Sequence, residues 1–176
     1  MFVVTVGGSA SGKSEFAESV AVSLGCRRLY IATMRPYGEE AARRIARHRA
    51  LRAGKGFVSL DCYTGILNAV TDGYDVVLLE CMSNLLANEM FGDPPVQQTR
   101  LADCLANQVC TLARRVPHLV VVSNDIGGDG ERYDCHTEDY RESLGRINAL
   151  LFQQADQVIE VVCGIPIYRK NGKEKS

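Results

Sequence analysis

The sequence has few of the features that mark membrane-spanning, secreted or nucleic-acid-binding proteins. None of its apolar stretches reaches the length of about 18 residues that a transmembrane helix needs, and no basic leader precedes the first apolar run. Its 20 basic and 21 acidic residues nearly cancel, so no net field attracts nucleic acid or an anionic membrane. We therefore expect no membrane span, no signal peptide and no nucleic-acid partner.

Cysteine is present, but it lacks the spacing of a disulfide framework or a metal site. The 7 cysteines are an odd number and form no C-x-x-C motif. Only Cys135 has an adjacent histidine, His136, and two neighbouring donors fall short of the four ligands of a structural zinc site. Reduced thiols are the simpler interpretation, which predicts a cytoplasmic protein.

Apolar, β-branched runs alternate with stretches of helical spacing along the chain. The runs predict strands at 2–6, 28–33, 57–61, 74–80, 118–125 and 157–163. The intervening stretches predict helices at 13–25, 38–52, 63–71, 82–91, 96–115 and 139–155. This alternation predicts an α/β fold, a mostly parallel sheet with helices on both faces, in a single domain over 1–170. The polar tail 171–176 is predicted to be disordered, and the Gly- and Asp-rich loop 126–138 has the length of a functional lid.

Residues 7–14 match the phosphate-binding motif G-x-x-x-x-G-K-S between the first predicted strand and the first predicted helix. Its glycines let the backbone N–H groups point at phosphates, and the following helix adds the positive end of its dipole. The expected nucleotide contacts are Gly7, Gly8, Ser9, Ala10, Ser11, Gly12, Lys13 and Ser14. Lys13 is expected to reach the β- and γ-phosphates and Ser14 to bind Mg²⁺, which predicts a nucleoside triphosphate ligand; the alternative is a Gly/Ser-rich turn.

Two acidic residues end predicted strands at the edge where parallel sheets bind ligands. Glu80 follows the apolar run 76–79, and a carboxylate beside a phosphate loop is well placed to hold Mg²⁺. Asp61 ends the preceding strand in the same way. A strand-end acid is also an ordinary way to leave a sheet, so a purely structural role stays open for both.

The stretch 41–52 predicts a basic helix that holds His48 among arginines. Arg44, His48 and Arg52 are spaced to share one helical face. A solvated basic face is the ordinary outcome, but like charges at this spacing repel, which favours an anionic partner such as phosphate. A neutral imidazole can also attack phosphorus. The residues alone leave His48 open as nucleophile, general base or phosphate ligand.

These residues resemble the bifunctional adenosylcobinamide kinase / adenosylcobinamide-phosphate guanylyltransferase family of cobalamin biosynthesis, over nearly the whole chain. The resemblance rests on the phosphate loop and on the stretches 30–33, 44–49, 78–86, 122–127, 141–148 and 164–170. The string Arg-Ile-Ala-Arg-His-Arg at 44–49 is the most specific, because the histidine of this motif becomes covalently guanylylated in the family.

The resemblance implies a RecA-type phosphate-loop NTPase fold, a homotrimer and a corrinoid substrate. GTP, or ATP in the kinase step, would phosphorylate adenosylcobinamide; His48 would then attack the α-phosphorus of GTP and pass GMP to the new phosphate. The catalytic residues would be His48, Lys13 and Glu80, and Mg²⁺ would be held by Ser14 and Glu80. The nucleotide site would be completed by Thr33, Met34, Arg35, Arg49, Ala50, Leu51, Arg52 and Asp61.

Two other functions fit part of the pattern. A phosphate-loop kinase for a small metabolite could use His48 and the arginines as a lid over the γ-phosphate. A nucleotide-binding subunit with partial or lost activity would fit the departures from the family pattern, where Ala10 replaces an arginine, Glu15 replaces a frequently basic residue, and 128–136 replace a Gly-Ile-Val-Pro stretch.

Overall fold

A seven-stranded sheet forms the centre of the computed structural model, which describes residues 1–92, 98–126 and 134–172. The strands are β1 (Phe2–Gly7), β2 (Arg28–Ala32), β3 (Phe57–Asp61), β4 (Val76–Glu80), β5 (His118–Asn124), β6 (Gln157–Val162) and β7 (Ile165–Lys170). Their spatial order is β3-β2-β4-β5-β1-β6-β7. All neighbouring strands are parallel except β6 and β7.

Helices cover both faces of this sheet. They are α1 (Lys13–Leu24), α2 (Gly38–Arg52), α3 (Met82–Met90), α4 (Gln98–Arg115) and α5 (Cys135–Gln154). Successive residues of a strand face opposite sides, so Val3 packs with α1 in one apolar cluster while Val4 packs with α3, α4 and α5 in another. The central strands are therefore buried on both sides, and the predicted α/β architecture with three layers is confirmed.

The six predicted strands are present within two residues of their predicted bounds, and a seventh strand follows them. The apolar runs are long enough to identify central strands, but β7 is exposed throughout and contains Pro166, which weakens its strand pattern. The turn before it, Cys163-Gly164, has positive φ at both residues, as in the tight hairpin turns that suit antiparallel strands. The prediction missed β7 because its pairing partner, not its own periodicity, makes it a strand.

The predicted helix at 63–71 is wrong. Only a single 3-10 turn forms there, at Ile66–Asn68, directly after Gly65 adopts the left-handed conformation. The last helix begins four residues before its predicted start, because the Asp134 carboxylate caps it by accepting hydrogen bonds from the backbone N–H groups of His136 and Thr137. The other helices agree with their predicted bounds within two residues.

Some predictions concern residues that the structure does not describe. The first residues of the helix expected at 96–115, most of the lid expected at 126–138 and the end of the tail, 173–176, lie outside the described residues. The single domain over 1–170 and the disordered tail stay predictions. In the described part of the chain, no helix combines the length and the apolarity needed to cross a bilayer.

Candidate active site

The phosphate loop lies at the carboxyl end of β1, between the sheet and α1. A side chain at Gly7 would collide with the Val161 carbonyl oxygen at 2.5 Å, and Gly12 has a φ of +90°, so both positions require glycine. Gly8 has open space around it, and its conformation does not demand glycine. The hairpin turn before β7 supports the loop from outside, because the Gly164 N–H donates to the Ser11 carbonyl at 2.8 Å.

Lys13 is folded back onto the loop that precedes it. Its Nζ donates to the Gly8 carbonyl at 2.9 Å, and the residue is buried. Burial lowers the pKa of Lys13, while the nearby charges of Cys81 and Glu80 oppose that shift and the charge of Arg44 adds to it. The ammonium group thus lies inside the loop, at the position from which the motif directs it to phosphates.

Glu80 is the point where the strands, the loop and α2 meet. Its Oε1 accepts a hydrogen bond from the Ser14 hydroxyl at 2.7 Å, and its Oε2 accepts one from the Tyr30 hydroxyl. Burial, followed by the charge of Glu80, raises the pKa of Tyr30, so this phenol stays protonated as a donor. Only 10% of the Glu80 side chain is exposed. The carboxylate is therefore held in one orientation at the carboxyl end of β4.

His48 approaches this carboxylate from α2. Its Nδ1 lies 3.3 Å from Glu80 Oε1, although the two atoms are not aligned for a hydrogen bond. The imidazole keeps 24% of its surface exposed, so one side of the ring is open while the other faces Glu80. The structure thus brings together the three residues predicted to be catalytic: Lys13, His48 and Glu80.

Arg52 follows His48 by one turn on the same face of α2 and is buried. Its guanidinium carbon lies 3.4 Å from the centre of the Tyr30 ring, which is cation-π stacking distance. Its Nε and Nη1 atoms are buried without hydrogen-bond partners among the described residues. A cavity of about 510 Å³ opens beside it, lined in part by Arg49, Phe57 and Ser59. The predicted basic face is thus solvated only in part, because its last arginine is part of the interior.

A partly buried ion pair attaches the turn after α2 to α1. Lys55 Nζ lies 2.5 Å from Glu18 Oε2, and the Glu18 side chain is only 1% exposed. The Lys55 backbone N–H also donates to the Arg52 carbonyl at 3.0 Å, so the pair holds the turn that follows α2. Neither residue was singled out from the sequence, since an acid and a lysine at 37 residues' separation carry no local pattern.

The variant Lys55→Met is expected to lower the free energy of unfolding by about 2 kcal/mol or more, because Glu18 then stays buried without its cation. Burial raises the pKa of Glu18, so its carboxyl can lose its charge by protonation as the pH falls. The raised folded-state pKa places the loss of stability at higher pH, so urea unfolding should show a larger deficit near pH 8 than near pH 5.

The matched control for this prediction is the double variant Glu18→Gln/Lys55→Met, which removes both charges. It should recover most of the stability near pH 8, because no buried charge remains. A deficit of Lys55→Met that is equal at both pH values would contradict the assignment of the loss to an uncompensated carboxylate.

A second cavity, of about 410 Å³, lies at the other end of α2, between this helix and α3. Met34 and Arg35 line it together with Tyr37, Arg44 and Asn84. The structure therefore places Met34 and Arg35 away from the cavity beside Arg52, at the opposite end of the helix that carries His48. Their expected contact with the nucleotide stays a prediction.

The other residues that are predicted to contact the nucleotide differ in how deeply they are buried. Thr33 is fully buried, and its hydroxyl is used by the backbone of Glu80 and Cys81, so it positions the end of β4. Asp61 is exposed at the end of β3, with its Oδ2 3.9 Å from Arg49 Nη2. Ala50 and Leu51 are exposed on α2. Direct contact with nucleotide stays a prediction for all four.

The family model of cobinamide kinase / cobinamide phosphate guanyltransferase matches residues 3–168. The chain belongs to this family. The match covers the phosphate loop, Glu80, the basic helix with His48 and both cavities, so the predicted family is confirmed, and with it membership of a family of transferases.

Curated relatives in this cobinamide kinase / guanylyltransferase family extend over almost the same length. The bifunctional adenosylcobalamin biosynthesis protein CobU of Salmonella typhimurium (strain LT2) is 27% identical, over 95% of this chain and 98% of that protein. CobU of Escherichia coli (strain K12) is 29% identical over the same shares. The bifunctional adenosylcobalamin biosynthesis protein CobP of Pseudomonas aeruginosa (strain PAO1) is 26% identical, over 92% of this chain and 93% of that protein.

The fold of this chain is similar to that of a solved structure at low sequence identity. A protein of Pyrococcus horikoshii OT3 has a TM-score of 0.59 and 9% identity, and the match covers 99% of this chain and 88% of that one. A likeness at this identity concerns the fold alone. The phosphate loop after β1 and the order of the parallel strands agree with the predicted phosphate-loop NTPase, RecA-like fold.

The donors at the phosphate loop suit a magnesium ion. The Ser14 hydroxyl and the Glu80 carboxylate, which already share a hydrogen bond, are hard oxygen donors of the kind that Mg²⁺ prefers beside phosphates. In the described ranges, no group of three or more His, Cys, Asp and Glu side chains is arranged to hold a metal. The Cys135 side chain lies outside the described residues, and His136 is exposed.

Proposed function

We propose that this protein catalyses two steps of cobalamin biosynthesis: phosphorylation of adenosylcobinamide, and transfer of GMP from GTP to adenosylcobinamide phosphate, which yields adenosylcobinamide-GDP. The observation that carries the proposal is the position of His48, 3.3 Å from a carboxylate that is itself hydrogen-bonded to the phosphate loop. A nucleophilic side chain and a triphosphate-binding loop thus share one site in a chain of this family.

We assign the attack on phosphorus to Nε2 of His48, and the position of Glu80 supports this assignment. Glu80 faces Nδ1 of His48 and favours a proton on that nitrogen, which leaves the lone pair on Nε2. Nε2 would attack the α-phosphorus of GTP; an N–P bond forms, the bond from the α-phosphorus to the bridging oxygen breaks, and pyrophosphate leaves. Nδ1 keeps its proton, and the adjacent carboxylate stabilises the positive charge that develops on the ring.

Lys13 and the loop would stabilise the departing pyrophosphate. The positive end of α1 and the loop N–H groups add to the charge of Lys13, and such fixed donors act most strongly in a site that excludes water. Ser14 and Glu80 would hold Mg²⁺, which supplies further positive charge beside the phosphates. The same loop would bind the triphosphate that phosphorylates adenosylcobinamide, with GTP or ATP as donor.

The nucleoside would occupy the cavity beside Arg52. Arg49 and Arg52 supply two cations there, and the guanidinium nitrogens of Arg52 that have no partner in the described part of the chain need an acceptor of the kind that a nucleotide provides. Asp61, close to Arg49, would bound the site at the edge of the sheet. The walls of the site would be completed by Ala50 and Leu51. Thr33, which is buried, would support the site by positioning the end of β4.

Two further properties belong to this proposal. A homotrimer is proposed from the family resemblance. A cytoplasmic location is proposed because the six cysteines with described side chains are all free thiols, as expected in a reducing compartment.

Phosphate labels placed at different positions test the two steps separately. Incubation with GTP labelled at the α-phosphate should leave the label on the protein in a bond that is stable to alkali and labile to acid. Added adenosylcobinamide phosphate should then remove it. Label at the γ-phosphate should pass to adenosylcobinamide. GTP binding with no protein label and no pyrophosphate release would contradict the guanylyl-transfer step and leave a kinase or a silent binding subunit.

A further inference from the structure

The cavity between α2 and α3 opens onto the same helical face that carries His48. Tyr37, Ala41 and Arg44 line it at the spacing of one helical face, and His48 continues that face one turn later. The nucleoside cavity lies beyond Arg52 at the far end of the same face. His48 therefore lies between two cavities. The proposed function assigns a ligand, the nucleoside, to only one of them.

The second cavity is lined by polar and apolar groups in similar proportion and carries more positive than negative charge. Arg35 and Arg44 both line it, and neither forms an ion pair with a described residue. Glu40 is the one acid among its lining residues, and Asn84 adds an amide without a side-chain hydrogen bond to the described residues. Guanidinium groups without carboxylate partners are the donors that bind phosphate in bidentate fashion.

Arg44 lies within electrostatic reach of the phosphate loop. Arg44 precedes His48 by one turn of α2, and His48 Nδ1 lies 3.3 Å from Glu80 Oε1, which accepts a hydrogen bond from Ser14 at the end of the loop. An anion between Arg44 and Lys13 would be attracted by both cations.

The stereochemistry of transfer specifies where the acceptor must stand. When an N–P bond to His48 breaks by in-line displacement, the entering oxygen approaches from the side opposite Nε2. That side is the one from which pyrophosphate left, and it faces Lys13 and the loop. The acceptor phosphate must therefore reach the loop, while the rest of the acceptor leaves through a neighbouring opening.

We infer that this cavity binds the phosphate-bearing arm of the acceptor, with Arg44 holding the acceptor phosphate against Lys13 and with Met34 and Tyr37 contacting the arm. The inference rests on the proposed guanylyl transfer and assigns its acceptor subsite. The cavity has a volume of about 410 Å³, which is at the small end of ligand-binding pockets. It would therefore hold the phosphate-bearing arm of the acceptor, while the corrinoid ring would stay outside.

The step that this subsite serves balances without any further reactant. A phosphate oxygen of the acceptor attacks the phosphorus carried by His48; a P–O bond forms, the P–N bond breaks, and the electron pair returns to Nε2. Nδ1 keeps its proton throughout, so the imidazole leaves in its neutral form. The cationic pair of Arg44 and Lys13 offsets repulsion between the two approaching phosphates.

Formation of the labelled protein and removal of the label can be measured separately. The comparison distinguishes a residue that binds the acceptor from a residue that binds the nucleotide. We expect Arg44→Gln to acquire label from α-labelled GTP within about threefold of the wild-type rate, while the KM for adenosylcobinamide phosphate in label removal rises about 10- to 100-fold. Arg44→Lys should recover part of this loss, because a point charge replaces a bidentate donor. The matched control is Arg43→Gln, on the opposite face of α2, where the arginine forms only an exposed pair with Glu39.

Three outcomes would overturn the inference. An unchanged KM for the acceptor in Arg44→Gln would remove Arg44 from the acceptor subsite. An equal loss in label formation and label removal would assign Arg44, and with it the expected roles of Met34 and Arg35, to the nucleotide. A wild-type protein that acquires no label would contradict the proposed function itself, and the subsite would fail with it.

Discussion

Replacement of His48 by alanine is expected to abolish covalent labelling from α-labelled GTP and to stop the formation of adenosylcobinamide-GDP. The N–P bond cannot form without the imidazole of His48. His48 is 24% exposed on the surface of α2, so its truncation leaves the core intact. GTP binding, measured by equilibrium titration, should persist because the loop is unchanged.

The other two histidines provide matched controls. His118 begins β5 at the end of the sheet opposite the loop, and His136 is exposed in the first turn of α5. His118→Asn and His136→Ala should both retain the label. Label that persists in His48→Ala, or that disappears in either control alone, would place the covalent bond elsewhere and contradict the assignment.

The variant Glu80→Gln is expected to slow label formation by about 10²- to 10³-fold. The amide can still accept a hydrogen bond from Ser14, but it carries no charge to stabilise the imidazolium and none to hold Mg²⁺. The KM for GTP should change less than the rate, since the loop backbone and Lys13 continue to bind the phosphates. Single-turnover labelling at saturating GTP measures the chemical step directly.

Glu142→Gln is the matched control for Glu80→Gln. Glu142 is an exposed acid on α5, with no hydrogen bond or ion pair to any described residue, so this variant should label at the wild-type rate.

Tyr30→Phe tests the support of Glu80. We expect the rate of label formation to fall about tenfold, because one of the hydrogen bonds to the carboxylate is removed. A Glu80→Gln variant that labels as fast as Glu142→Gln would leave Glu80 with a structural role only.

Local patterns were sufficient for most of the fold. The strand β4 is an apolar run without alternation because it is buried on both faces, and such a run identifies a central strand without knowledge of its neighbours. The same patterns misassigned 63–71, where a left-handed Gly65 interrupts the helix, and missed β7, whose strand conformation depends on pairing with β6. Both failures are places where tertiary contacts or backbone conformation outweigh local periodicity.

In the candidate site, too, some features can be recognised in the sequence and others arise only from packing. The phosphate loop is contiguous, so its residues and spacing identify it in the sequence. Glu18 and Lys55 are far apart along the chain and meet only when α1 and the turn after α2 pack together. Arg52 was expected on a basic face, but the structure buries it against Tyr30, a contact that helical spacing alone cannot predict.

The sequence by itself determined the phosphate-binding loop, the order of most strands and helices and the family, and through the family resemblance it predicts that His48 is the reactive residue. These depend on short-range rules: the conformational freedom of glycine, the period of a helix and a motif of adjacent residues. Only the tertiary structure decided that His48 faces Glu80, that Glu80 is anchored by Ser14 and Tyr30, and that one cavity lies on each side of the histidine. These depend on how α2 packs against the sheet, and packing brings together residues that have no pattern in common along the chain.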